Sequence, residues 1–170
     1  MLGKSCWITA KAEVAQILLN RAFNQSVLSG TPVKPWGWAD TWPVAQVRVA
    51  RLGVQAIVLH GSTTEALAFG PALLPNTAQP GERGTTVIAA HRDTHFAFLK
   101  DVAVNDTIDI MRSDGLIFSY TVTAMRVATW NNSGIDRSAI GHHLVLSTCY
   151  PFDGLTGGNQ RFIVEAVLRN

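Results

Sequence analysis

Charge of either sign is scarce in this chain. Aspartate, glutamate, lysine and arginine make up 15% of its 170 residues and leave a formal net charge of +2. The basic residues are scattered rather than gathered into a stripe, which removes the usual electrostatic footprint of a nucleic-acid partner. Cysteine is nearly absent: Cys6 and Cys149 lie near opposite ends. One bridge between them is conceivable, but the framework that staples small secreted domains is missing, so cysteine usage leaves the redox compartment open. Long apolar runs are missing too. Lys4, Lys11 and Glu13 interrupt "MLGKSCWITAKAEVAQILLNRAF", excluding a signal-peptide core, and nothing approaches the roughly 20 apolar residues of a membrane-spanning helix. The sequence as written is expected to be soluble, which is compatible with a preceding anchor having been trimmed. No internal repeat is visible, and no obvious acidic cluster argues for calcium.

Apolar residues, by contrast, make up 47% of the chain, enough for the core of one domain. Ile8, Val14, Ile17, Leu18 and Ala22 recur at helical spacing, with Thr9 as a candidate cap and Gly30-Thr31-Pro32 as a stop, which predicts an amphipathic helix. "TPVKPWGWADTWPV" then combines three prolines with three tryptophans and reads as a packed connector whose indoles dock on a sheet. Past Pro43 the texture becomes strand-like: "AQVRVARL" alternates and "VQAIVLH" follows Gly53. A short helix is expected at "STTEALAF", with Ser62 and Glu65 as a capping box before Gly70-Pro71. "LLPNTAQPGERG" reads as a loop and "TTVIAAH" as a strand ending at His91. "IDIMR" and "LIFSYTVTAMRVATW" form a hairpin about Asp114-Gly115, and "HLVLSTC" and "RFIVEAVL" are the last two strands. Seven or eight strands with a few short helices favour an all-β barrel or sandwich over βαβ units. Residues 1–35 are expected to form the helix and connector, and 36–170 the barrel.

The chemistry centres on "LVLSTCYPFDG", where Cys149 sits at the end of a strand. A thiol with a pKa of about 8.5 becomes a useful nucleophile near neutrality when a cation, an imidazole or a helix end stabilises its thiolate. His91 ends another strand, and neighbouring strand ends in a closed sheet bring side chains to one rim. Arg161 opens the final strand; if the last two strands are antiparallel neighbours, it faces Cys149. Thiol, imidazole and permanent cation suit acyl transfer: attack on a carbonyl, proton exchange with the leaving amine, and stabilisation of the oxyanion. Each also has a plainer reading: Cys149 as a small buried hydrophobe, His91 as a surface turn residue held by Asp93, Arg161 as an exposed charge at a strand start. Cys6 reads as incidental. His60, His91, His95, His142 and His143 raise the question of a metal, but "HRDTH" lacks the glutamate of H-E-x-x-H and follows a strand, and His142-His143 reads as a strand-entry pair.

"TTVIAAHRDTHFAFL", "LVLSTCYPFDG" and "RFIVEA", in this order and at these intervals, resemble the sortases, cysteine transpeptidases of bacterial cell envelopes. The resemblance runs from about Trp36 to the C-terminus. The family's T-L-x-T-C signature falls on Val145-Leu146-Ser147-Thr148-Cys149, with valine in place of the first threonine. "WADTWPVAQV" and "HRDTHF" further resemble sortases of Gram-negative proteobacteria. The resemblance implies a closed eight-stranded β-barrel with an N-terminal helix and short connecting helices. It implies Cys149 as nucleophile, His91 as general acid/base and Arg161 as the oxyanion-stabilising cation, with Thr148, Val145 and Leu146 on the substrate side. Asp93 and His95 match a stretch typical of the subgroup. No cofactor is implied. The implied partners are a protein bearing an LPxTG-like sorting signal and an amine acceptor of peptidoglycan or protein type, with no nucleic acid. The implied location is the cell envelope, at the periplasmic face of the inner membrane, reached through an N-terminal anchor absent from this sequence. Two rival readings remain: a cysteine peptidase with water as acceptor, and a non-catalytic β-barrel binding module.

Overall fold

The computed structural model describes residues 2–154 and 158–170, with side chains from Val14 onward apart from that of Glu65. Eight strands close into a barrel: β1 (Pro43–Val49), β2 (Val54–His60), β3 (Ala72–Leu73), β4 (Gly84–Ala89), β5 (Thr107–Arg112), β6 (Ile117–Thr129), β7 (His142–Tyr150) and β8 (Gln160–Leu168). Around the barrel the order is β1-β2-β3-β4-β7-β8-β6-β5. Two of the pairings, β2 with β3 and β4 with β7, are parallel. The expected closed eight-stranded barrel is the one observed.

Alternation along each strand divides the residues between two faces. Val47, Val49, Val58, Ile88, Ile108, Ile110, Tyr120, Leu144, Leu146 and Val164 point inward and form the main core. Each fully buried aliphatic of this kind contributes about 1.5–3 kcal/mol of burial free energy. Closure leaves no bare sheet edge, so the outer face between barrel and solvent is where decoration and function are added.

The N-terminal helix α1 spans Leu2–Ser29, longer than the Ile8 to Phe23 stretch read from periodicity. Its buried stripe is Ala15, Leu19, Ala22, Phe23 and Ser26. Val14 and Ile17, expected on the apolar face, are 55% and 67% exposed, while the side chain of Ile8 lies outside the described residues. Leu19 and Phe23 pack on the outward Ile57 and Leu59 of β2 and on Ala66 of α2 (Thr64–Phe69). The N-cap of α2 is Thr63, whose hydroxyl accepts from Ala66 N–H at 3.1 Å, in place of the expected Ser62. In the connector, Trp42 stacks on His60 with centroids 4.1 Å apart, and Trp36 meets Phe69 edge-on at 5.0 Å. Trp38 does not dock; it is 81% exposed.

Candidate active site

Three strands decide where the chemistry-bearing side chains stand. β7 and β8 are antiparallel neighbours in a register that sets Cys149 directly opposite Arg161, Ser147 opposite Ile163 and Val145 opposite Glu165. β4 runs parallel on the other side of β7, with Val87 beside Val145 and Ala89 beside Ser147. β4 ends at Ala89, and two residues further on His91 begins the turn that follows, next to Ala90, whose N–H donates to Ser147 O. Because Leu144, Leu146 and Thr148 face inward, the intervening Val145, Ser147 and Cys149 face outward, as do their partners Arg161 and Ile163. Cys149 and Arg161 thus face one another on the outer side of β7 and β8, and His91 stands just past the end of the neighbouring β4.

Two hydrogen bonds tie the end of β4 to β7. Ala90 N–H donates to Ser147 O at 3.2 Å, and the buried hydroxyl of Thr148 donates to the carbonyl of Ala90 at 2.7 Å. Thr148 is 2% exposed, so its hydroxyl does not face the outer surface. It braces the residue immediately before His91. Leu146, expected on the substrate side, is fully buried in the barrel core, because alternation from the outward Cys149 turns it inward. Val145 does lie on the outer face.

Cys149 is a free, half-buried thiol, and His91 is exposed. Arg161 donates from Nη1 to the carbonyls of Gly158 and Gln160, at 3.1 and 2.9 Å. Ion pairs join Arg51 to Asp106, Arg112 to Asp114 and Arg126 to Glu165; among the described residues no carboxylate pairs with Arg161. Its charge is held by neutral carbonyls and is not cancelled. The next turn carries His95, half-buried; burial pushes its imidazole below the ordinary histidine range, and the neighbouring His91 acts in the same direction. His91 and His95 lie on a strand-following turn that leads into a short 3-10 helix, Ala97–Asp101, so the i, i+4 spacing does not place them on one helix face.

Behind these side chains, away from the rim, the outer face becomes apolar. Val87, Val145 and Ile163 form a separate buried cluster, with Leu74, Ala128 and Ile135 packed against it. Ile135 belongs to the segment joining β6 to β7, which covers this cluster. Beside it opens a cavity of about 320 Å³ lined by residues including Thr85, Ile135, Asp136, His143, Val145 and Glu165. Val145 stands four residues from Cys149 on the same strand, about 13 Å at the usual rise of about 3.3 Å. That is the reach of a short extended peptide whose carbonyl lies at Cys149.

Sequence reasoning named Cys149, His91, Arg161 and Val145 but did not foresee the buried cluster that Val145 joins. Val87 and Ile163 carried a faint signal, as β-branched residues within strands already read, but the parallel pairing that puts Val87 beside Val145 leaves no mark in local pattern. The same is true of Ile135, which sits in an irregular segment.

A free cysteine at a strand end of a closed eight-stranded barrel, with an arginine opposite it and a histidine just past the end of the next strand, defines a barrel with a candidate nucleophilic centre on its outer rim. Residues 47–169 match the sortase domain family, and the chain belongs to that family. It is 23% identical over 121 residues to sortase D of Bacillus subtilis, an alignment covering 69% of this chain and 60% of that protein. Among solved structures it superposes on sortase A of Corynebacterium diphtheriae with a TM-score of 0.70 at 25% identity, covering 78% of this chain and 63% of the other. A Clostridium perfringens sortase D5 transpeptidase matches with a TM-score of 0.73 at 23% identity, over 93% of this chain and 99% of that one. The chain therefore spans about three fifths of the length of the Bacillus and Corynebacterium relatives.

Proposed function

We propose that the protein is a cysteine transpeptidase that cuts a C-terminal sorting signal of LPxTG type and transfers the upstream protein to an amine. The observation that carries this reading is Cys149 directly opposite Arg161 on β7 and β8, with His91 just past the end of the adjoining β4.

In the first half-reaction the Cys149 thiolate attacks a backbone carbonyl of the signal, forming a C–S bond and a tetrahedral oxyanion. Arg161, permanently charged, stabilises that oxygen, an effect worth about 10²–10³ in rate for a single donor. The C–N bond then breaks as His91 gives a proton to the departing amine, leaving a thioester on Cys149. In the second half-reaction an acceptor amine, deprotonated by His91, attacks the thioester carbonyl and expels the thiolate. An amide replaces an amide, so no oxidant and no external energy source is needed.

The cavity lined by residues including Thr85, Ile135, Asp136, His143, Val145 and Glu165 offers room for the upstream part of the signal, with Ser147 between it and the thiol. Valine at 145 has no hydroxyl to offer the peptide, so that position contributes shape alone. "WADTWPVAQV" and "HRDTHF" support placement with proteobacterial sortases, and hence action at the periplasmic face of an inner membrane.

The test is incubation with an LPxTG peptide, with and without oligoglycine or a diaminopimelate-containing peptide. Cleavage that depends on Cys149 and yields the amine-linked product supports the reading. Hydrolysis that no amine diverts would make the protein a peptidase, and no cleavage together with slow, pH-independent alkylation of Cys149 would make it a binding module.

A further inference from the structure

Arg92 follows His91 directly, yet its side chain turns away from the β4 end and donates from Nη2 to the carbonyl of Gly154. Gly154 lies between the end of β7 at Tyr150 and the start of β8 at Gln160, one residue from Cys149 and from Arg161 respectively. One side chain therefore joins the turn bearing His91 to the connection between the two strands that carry Cys149 and Arg161. The fit is close. A Cβ built on Gly154 would lie 3.0 Å from Arg92 Nη1, so the guanidinium packs against a bare Cα and the position favours glycine through space rather than backbone angle. The turn is fastened at its far end as well, where Phe96 N–H donates to His91 O at 3.0 Å.

From this geometry we infer that Arg92 is a positioning residue: by holding the Gly154 carbonyl it fixes the His91 turn against the β7–β8 loop and so sets the imidazole relative to the Cys149 thiol. The inference rests on the proposed acyl-transfer reading only for its consequence in turnover; the clamp itself is a statement about two segments. A rigid site needs such a part. The Thr148 bond braces only the backbone ahead of His91, and an exposed side chain beyond a strand end otherwise rotates freely. Arginine suits the task because its planar fork loses little freedom when a carbonyl is bound. Misplacing a catalytic group by about 1 Å costs about 10²-fold.

The test has one arm without substrate and one with it. The rate of Cys149 alkylation by iodoacetamide at neutral pH, followed on the Cys149 peptide so that Cys6 does not contribute, is measured in wild type, Arg92→Gln, His91→Gln and the double variant. If Arg92 acts through His91, Arg92→Gln changes the rate by about threefold or more in the wild-type background and by less than about 1.5-fold in the His91→Gln background, since coupled positions are not additive. Arg92→Lys, which keeps a donor, restores part of the effect. Gly154→Ala, which pushes the guanidinium aside, reproduces Arg92→Gln and guards against misfolding of the arginine variant. Equal effects in both backgrounds, or none in either, would overturn the inference. With an LPxTG peptide, Arg92→Gln lowers kcat by about tenfold or more and moves KM by less than about threefold. An inert wild type in that arm would count against the transpeptidase reading alone, because the alkylation cycle still decides on the clamp.

Discussion

Replacing Thr148 with valine keeps the volume of the side chain and deletes one atom's chemistry. The hydroxyl donates to Ala90 O at 2.7 Å in a site that is 2% exposed. Losing a buried hydrogen bond while leaving its partner carbonyl dry costs about 1–3 kcal/mol. For a chain of this length each kcal/mol moves the melting temperature by about 2–4 °C, so Thr148→Val is expected to melt about 2–12 °C lower. The functional consequence is larger, because Ala90 precedes His91: with the brace gone the imidazole drifts, and a misplacement of about 1 Å costs about 10²-fold. The assay is kcat/KM for a fluorogenic LPxTG peptide well below the melting temperature, alongside Thr148→Ser, which keeps the hydroxyl and is expected to retain most activity. A Thr148→Val enzyme that melts lower but turns over within about twofold of wild type would refute the link between the brace and His91 and leave the bond a purely structural one.

Arg161→Ala is expected to lower kcat/KM by about 10²–10³ with the far-ultraviolet circular dichroism spectrum unchanged; near-wild-type turnover would remove Arg161 from the site. Val145→Asp, placing a charge in the buried cluster with Val87 and Ile163, is expected to lower the urea midpoint, as equilibrium unfolding would reveal. Gly81 sits at φ +85°, and a Cβ there would lie 2.2 Å from the Phe118 ring. Gly81→Ala is therefore expected to cost about 2–4 kcal/mol in urea unfolding. His95 titrates below its unfolded value of about 6.5, so the unfolded chain binds the proton more readily. Its contribution to stability is complete above that pH and is lost as pH falls toward the folded value. His95→Gln should flatten the decline in urea midpoint on the acid side of about pH 6.5, and an unchanged slope would show that His95 does not control it.

The sequence made the barrel's later strands legible because β7 and β8 combine strict alternation with a short connection, and that connection is what predicts Arg161 opposite Cys149. His91 was legible for the same reason, as a reactive side chain just past a β-branched strand. Leu146 was not. A signature treats consecutive residues as one unit, whereas a pleated strand sends Leu146 to the core and Val145 and Ser147 to the outer face of the barrel. Counting by twos from Cys149 separates them. The α1 face was misjudged because Val14 and Ile17 fit helical spacing as well as Ala15 and Leu19 do. Which stripe is buried depends on where Ile57 and Leu59 of β2 present their outer face, a long-range fact without a local trace. The cap of α2 moved by one residue because Ser62 and Thr63 carry the same hydroxyl. Arg92's bond to Gly154 joins positions 62 residues apart, beyond the reach of any local pattern.

The most direct measurement of the central claim is the intact mass of the enzyme, rapidly quenched after mixing with an LPxTG peptide. The account predicts a species heavier by the upstream fragment, located on Cys149 by peptide mapping, absent in Cys149→Ala, and consumed faster when an acceptor amine is added. Substrate turnover with no such adduct, or an adduct whose decay ignores the amine, would contradict it.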